Sequence, residues 1–224
     1  TLVQQLMTYR GTTTQNLFAC TQSNIYDVSV AGPVGASVRS ISSPFFSYCN
    51  FDTQGGKYLI CVNGVDEEQL YDGSTWRTLN GASTPAITGV TTSDLTFVLP
   101  FKRRLWYIKK NSMSAYYLPT DQIGGAAAEF PVGQFFPRGG SLVALGAWTI
   151  DGGNGVDDQF VMVSSEGELL VYKGTDPATA ATWEMVGRYF IGRPIGGKSC
   201  LADFGGDLVY LCESGLYPLS KALQ

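Results

Sequence analysis

The stretch Gly192-Arg-Pro-Ile-Gly-Gly197-Lys198-Ser199 fits the pattern GxxxxGK[ST], in which backbone amides cradle phosphates and the lysine reaches toward them. That chemistry needs a helix to begin at the lysine, so that its first amides face the anion. Here Cys200-Leu-Ala-Asp-Phe-Gly-Gly-Asp207 follows, with two glycines in it and a strand-forming run after it. The segment therefore reads as a turn between repeats. Asp66, Glu67, Glu68, Glu166 and Glu168 offer the carboxylates that glycoside hydrolysis would pair. All five are expected in hairpin turns, where exposed acids are ordinary. Asp151, Asn154, Asp157 and Asp158 carry the oxygens that Ca2+ prefers, but glycines stand at the third and fifth positions, where an EF-hand loop places ligands.

Histidine is absent from the chain. That removes a Ser-His-Asp triad, a Cys-His dyad and the usual His-ligated zinc and iron centres. The triplet Asp203-Phe204-Gly205 matches the Mg2+-binding triplet of protein kinases, but the His-Arg-Asp loop that must accompany it cannot exist here. Cys20, Cys49, Cys61, Cys200 and Cys212 are odd in number and widely spaced, without a CxxC pair. Cys20, Cys61 and Cys212 lie in apolar runs and read as small buried hydrophobes in a reduced protein. No cofactor or metal is expected, and no enzymatic activity. The basic cluster is Lys102-Arg103-Arg104 with Lys109-Lys110. It flanks the apolar run from Leu105 to Ile108, and two readings stay open. One is a positive edge that meets phosphate or an acidic partner. The other is a charged strand end that discourages edge pairing.

The elements that must carry these residues are strands. Glycine occurs 27 times, aromatic residues make up 12% and hydrophobic residues 44% of 224 positions, and few windows favour helix. A short pattern recurs: an apolar strand, a polar turn, then one or two apolar residues around a tyrosine. It appears at Leu17–Cys20 with Tyr26, at Tyr58–Val62 with Tyr71 and at Leu105–Ile108 with Tyr116. It returns at Phe160–Val163 with Tyr172 and at Leu208–Cys212 with Tyr217. Successive tyrosines stand 45, 45, 56 and 45 residues apart. Strands repeating at this period predict an all-β, β-propeller-like fold of about five blades. A β-sandwich is the rival, and it predicts no fixed period. Trp76 and Trp183 are expected on outer strands. The residues left over at the two ends amount to most of one more unit. Either the termini jointly complete a blade, or further blades belong to a longer parent. The long interval takes its excess from residues 118–159, which include Gly124-Gly125 and the Asp151–Asp158 loop. Insertions in propellers map to loops on one face, so Gly124, Gly125, Asp151, Asn154, Asp157 and Asp158 are the candidate partner-contact residues.

Charged residues make up only 15%, which suggests that part of the surface faces other protein. The net charge of −4 and a pI near 4.8 argue against a dedicated nucleic-acid binder. No apolar run reaches the ~18 residues that a membrane span needs. The chain opens on Thr1, which points to a processed piece or part of a longer parent. Residues 1–224 are expected to form a single propeller domain.

Several segments resemble, in order, a family of structural proteins of tailed bacteriophages and prophages. They are Trp106–Pro119, Gly139–Trp148, Val163–Glu168, and the stretch from Tyr189-Phe-Ile-Gly-Arg-Pro194 to Leu216-Tyr-Pro-Leu-Ser220. The resemblance runs from about residue 16 to the end. It implies a piece of a longer virion protein, akin to the nozzle-type proteins that ring the DNA-ejection channel of short tails. It implies a non-enzymatic subunit of a short tail or tail hub, assembled in the host cytoplasm. Its partners would be further copies of itself and neighbouring tail or portal-adaptor proteins, with only non-specific proximity to DNA. An acidic lumen fits a channel that does not retain DNA. The alternative is a propeller module that binds host glycan or receptor, with Trp76, Trp106, Trp148 and Trp183 as stacking candidates. An enzyme on a propeller scaffold is the third reading.

Overall fold

The computed structural model describes residues 2–151 and 156–222, apart from the side chains of Ile150, Asp151, Val156 and Asp157. The first sheet contains β1 (Gln5–Arg10), β2 (Gln15–Cys20), β3 (Asn24–Asp27) and β4 (Arg39–Ser40). The second contains β5 (Ser47–Thr53), β6 (Gly56–Val62), β7 (Glu68–Tyr71) and β8 (Trp76–Leu79). A two-residue strand, β9 (Ile87–Thr88), precedes the third sheet of β10 (Leu95–Phe101), β11 (Arg104–Lys109), β12 (Ser114–Tyr117) and β14 (Ala128–Pro131). The intervening β13 (Gly125–Ala126) pairs in parallel with β9. The fourth sheet contains β15 (Leu142–Asp151), β16 (Val156–Ser164), β17 (Glu168–Gly174) and β18 (Trp183–Phe190). The fifth contains β19 (Leu201–Phe204), β20 (Asp207–Cys212) and β21 (Gly215–Pro218), followed by a single helical turn, α1 (Leu219–Ala222).

These five sheets of sequential strands are the blades of a β-propeller. The tyrosines that set the sequence period all fall on the third strand of a blade: Tyr26, Tyr71, Tyr116, Tyr172 and Tyr217. Trp76 and Trp183 open fourth strands, as the sequence predicts. The long interval has a local cause. β15 and β16 run 10 and 9 residues, where β10 and β11 run 7 and 6. The first sheet holds four strands of its own and the last holds three, so among the described residues the termini do not share a blade.

By compactness the chain divides into two units. One runs up to Tyr107 and includes Tyr116–Ala128; the other contains Ile108–Ala115 and continues from Glu129. The first unit shows why the run Leu59–Val62 of a second strand is apolar at every position. Side chains alternate across a strand, and β6 is covered on both faces. Leu59 and Cys61 join Met7, Phe18, Cys20 and Ile25 of the first sheet, while Ile60 and Val62 join Leu105 and Tyr107. Tyr71 lies with the first group, edge-on to Tyr9 at 5.1 Å and to Phe18 at 4.9 Å. In the second unit Tyr172 stacks on Trp183 at 5.7 Å and meets Phe130 edge-on at 5.5 Å.

Turn chemistry closes the hairpins. Gly167 joins β16 to β17 at φ +84°, and a Cβ there would overlap the backbone of Gly192. Gly89 follows β9 at φ +83°, where a Cβ would come within 2.5 Å of the Ala127 carbonyl oxygen. No helix among the described residues is long and apolar enough to cross a membrane.

Candidate functional site

Lys102 and Arg103 form the two-residue turn between β10 and β11 and are both left-handed, at φ +47° and +61°. A turn with positive φ at both centres is the hairpin type whose twist matches the strands, and it normally carries Asn-Gly. The Arg103 guanidinium grips the Asp121 carboxylate, with Nε donating over 2.9 Å and Nη2 forming the second contact. Lys102 lies over the Phe101 ring at 5.7 Å, and Arg104 over Tyr117 at 5.5 Å. Lys109 closes β11 and Lys110 enters the following turn. The basic run therefore does not form one continuous edge. Lys102, Arg103 and Arg104 gather at the start of β11, and Lys109 and Lys110 stand at its end.

Lys102 and Arg103 open onto a groove of about 460 Å3 in the first unit, together with Arg10, Asn50, Asp52 and Lys57. The pleats of β1, β5, β6 and β10 pack side by side, so the hairpin ends of the first three sheets meet there. Asn50 fixes the rim. Its Oδ1 accepts from the Arg10 backbone N–H at 2.8 Å, and its Nδ2 donates to the Thr8 carbonyl at 2.9 Å. Asp52 pairs with Lys57. Phe51 and Phe101 lie buried beneath.

The candidate carboxylates are not all in turns. Asp66 is in one: it accepts from the backbone N–H groups of Ser42 and Ser43 and from Asn63 Nδ2. Those bonds hold its carboxyl below the usual range, against the opposing effect of its partial burial. Glu166 is in another, where it receives Arg193 Nη2 at 2.7 Å. Glu67 accepts from Asn80 Nδ2 at 2.7 Å. Glu68 and Glu168 instead open third strands, β7 and β17, and are buried. The sequence expectation of exposed turns is corrected for both, because β7 is buried at every position and β17 over its first five residues. Glu168 Oε2 accepts the Arg138 backbone N–H at 2.9 Å. Glu68 is fully buried, and among the described residues neither carboxyl oxygen has a hydrogen-bond partner. Burial raises it to about 8, while the nearby Tyr107 hydroxyl pulls the other way without closing a bond of regular geometry. Glu68 in turn helps burial to raise the Tyr107 and Cys49 side chains.

Gly192–Ser199 lies between β18 and β19 and ends in a three-residue 3-10 turn at Gly197–Ser199, from which the chain enters a strand. Burial pushes Lys198 down to about 8. Asp203 and Phe204 end β19, and Gly205 starts the turn into β20. Gly124 and Gly125 are held against residues 85–88: a Cβ on Gly124 would meet Pro85 and Ala86, and the Gly125 N–H donates to the Ala86 carbonyl at 2.7 Å. Asp151 and Val156 face each other across the β15–β16 hairpin, and Asp158 accepts from Thr149 Oγ1 at 3.0 Å. Asn154 and the side chains of Asp151 and Asp157 lie outside the described residues. Trp106, Trp148 and Trp183 are buried, and Trp76 packs on Phe18 at 5.0 Å. All five cysteines carry free thiols. Cys20, Cys61, Cys200 and Cys212 are buried, and burial raises Cys20 and Cys200 to about 12.

No family model and no curated protein matches the chain. Among solved structures it is similar to a chain in the crystal structure of BBS1N in complex with ARL6DN, soaked with mercury. The TM-score is 0.54 at 13% identity, over 97% of this chain and 64% of that one. The lead-soaked crystal of the same complex aligns at a TM-score of 0.44 and 11% identity, over 95% of this chain and 75% of that one. The likeness to the mercury-soaked structure shows the propeller fold. This chain spans 64% of that chain's length.

Two features of the site escape a linear reading. Arg10 and Lys57 join Lys102 and Arg103 only because neighbouring sheets stack. The burial of Glu68 has a sequence signal: Glu68-Gln-Leu-Tyr71 and Glu168-Leu-Leu-Val-Tyr172 both open a third strand with an acid and close its buried part with the repeat tyrosine.

Proposed function

We propose that the chain is a non-enzymatic structural protein, a rigid propeller whose loops and uncovered strands dock neighbouring subunits. Its setting on this reading is the short tail, tail hub or nozzle of a tailed bacteriophage, and the support for that setting is the sequence resemblance. Its partners are further copies of itself and adjoining tail or portal-adaptor proteins. It is assembled in the host cytoplasm and resides in the virion.

The observation that carries the docking role is the surface of the last sheet. That sheet has three strands where the other four have four. Phe204 is 77% exposed and Leu216 65%, with Ile195 and Leu211 also open to solvent. Leu211 and Leu216 are direct cross-strand partners, so their exposed side chains form one patch. Apolar residues gathered on a short sheet mark a surface that another protein covers. The matched crystal structure is likewise of a propeller chain in a complex, BBS1N with ARL6DN. A glycan-stacking role has less support, because Trp106, Trp148 and Trp183 are buried.

Mass in solution by light scattering, with negative-stain imaging, tests the reading. The wild-type chain is expected to form closed assemblies, and Phe204→Asp with Leu216→Asp is expected to reduce them to smaller species. A monomer for wild type and variant alike at tens of micromolar would sink it.

A further inference from the structure

We propose that the face of the first sheet turned away from the second docks, in a second copy of the chain, on the face of the last sheet turned away from the fourth. The inference rests on the assembly reading above and names the surface that the last sheet meets.

The repeat supplies the argument. Where a sheet follows another, its repeat tyrosine packs on the one before. Tyr71 of the second sheet meets Tyr9 and Phe18 of the first at 5.1 and 4.9 Å. Tyr116 of the third joins Ile60, Leu70 and Leu79 of the second. Tyr172 of the fourth meets Phe130 of the third at 5.5 Å. Tyr26 holds the same place in the first sheet, and it lines an open apolar groove of about 290 Å3 with Val3, Ala19, Val28 and Val34. Register puts Leu6, Ala19 and Tyr26 in one row on that face, and Leu6 is 52% exposed. This face is a socket shaped for a preceding sheet.

The last sheet carries the side that fits such a socket. Tyr210 pairs with Tyr217 as Ala19 pairs with Tyr26. Counted along the paired strands from these residues, Phe204, Val209, Leu211 and Leu216 stand where the first sheet has Tyr9, Phe18, Cys20 and Ile25. The four in the first sheet are all buried, in the cluster that Tyr71 joins. Their counterparts are half-buried at Val209 and exposed at the other three. Leu201 and Leu208, on the opposite face, are the residues turned to Gly146 of the fourth sheet.

Leu17–Cys20 of β2 and Leu208–Cys212 of β20 keep the apolar run that Leu59–Val62 owes to cover on both sides. One chain thus presents, open to solvent, both halves of a contact that its own sheets make repeatedly. Two first-sheet faces cannot reproduce that contact, and neither can two last-sheet faces, because it sets a repeat tyrosine against the opposite side of a neighbour. The occupant is therefore the complementary face of a second copy. The Leu6–Ala19–Tyr26 row holds no charge, and Asp207, beside Phe204, is bonded to Ser220, so neither face sets a bare charge against the other. The contact is heterologous: copies add head to tail, and growth stops where the rotation closes a ring.

Two variants of the full chain, compared with the wild type by light scattering at tens of micromolar, test this. Leu6→Asp with Val34→Asp blocks the first-sheet face, and Phe204→Asp with Leu216→Asp blocks the last-sheet face. All four positions are exposed, so each variant is expected to keep the wild-type Tm within a few degrees. Alone, each is expected to be a monomer. Mixed in equal amounts, the two are expected to form a species of twice the monomer mass and nothing larger, joined through the intact face of each; that recovery also shows both to be folded. Assembly of the first-face variant to the wild-type size would overturn the pairing and leave the docking role of the last sheet standing. Two folded variants that stay monomeric on mixing would overturn it as well. A monomeric wild type would sink both the pairing and the assembly reading.

Discussion

Glu68 gives the fold a definite dependence on pH. Its carboxyl is fully buried in β7, neither oxygen is hydrogen-bonded among the described residues, and burial raises it from 4.5 to about 8. In the unfolded chain it ionises near 4.5, so between there and 8 the folded state holds a proton that the unfolded state has released. Stability must therefore fall as pH rises through that window and level off above it. A displacement of this size corresponds to ~5 kcal/mol, a large part of what a domain has to spare. Glu68→Gln removes the titration and keeps the shape. The variant is expected to show a flat profile from about pH 5 to about pH 8 and to exceed the wild type by several kcal/mol at the alkaline end. At the acid end the two should agree within ~1 kcal/mol, since a neutral acid and an amide face the same dry site. Tyr107→Phe removes the hydroxyl that favours the ionised form, so the decline should continue to higher pH. Urea unfolding across this range, monitored by tryptophan fluorescence, reads all three proteins. Parallel wild-type and Glu68→Gln curves between pH 5 and pH 8 would refute the reasoning.

Other perturbations report on separate parts of the chain. Lys198 is pushed down to about 8 by burial, so the folded state sheds its proton first and stability should rise from pH 8 toward 10.5; Lys198→Met should flatten that segment of the same urea series. Gly89→Ala forces a left-handed alanine against the Ala127 carbonyl and should cost at least ~2 kcal/mol in denaturant unfolding. The Arg103–Asp121 pair is exposed on the arginine side, so a double-mutant cycle should return a coupling below ~1 kcal/mol. A small coupling matters for the groove, because it lets Arg103 be removed without unfolding what surrounds it.

The blade pattern was legible because a second strand covered on both faces must be apolar at every position, and nothing else in a short β-unit requires that. Tyr58–Val62 shows the rule: Leu59 and Cys61 are claimed by the sheet before, Ile60 and Val62 by the sheet after. The same rule hid Glu68. Asp66-Glu67-Glu68 looks like an exposed turn when read along the chain, but the strand begins at the third acid, where both faces are already covered. Glu168 meets the same burial and differs in one respect: the Arg138 backbone amide reaches its carboxyl. The loop that could supply such an amide lies outside the repeat, so the repeat alone cannot tell a satisfied acid from an orphaned one. The groove follows from the same limit. Arg10, Lys57 and Lys102 lie on three different sheets, and their meeting depends on how far each hairpin extends past its neighbour. A 45-residue period fixes which positions are buried within a unit. What adjacent units present to each other is set by hairpin length and turn type, and in this protein those are the places where charge collects.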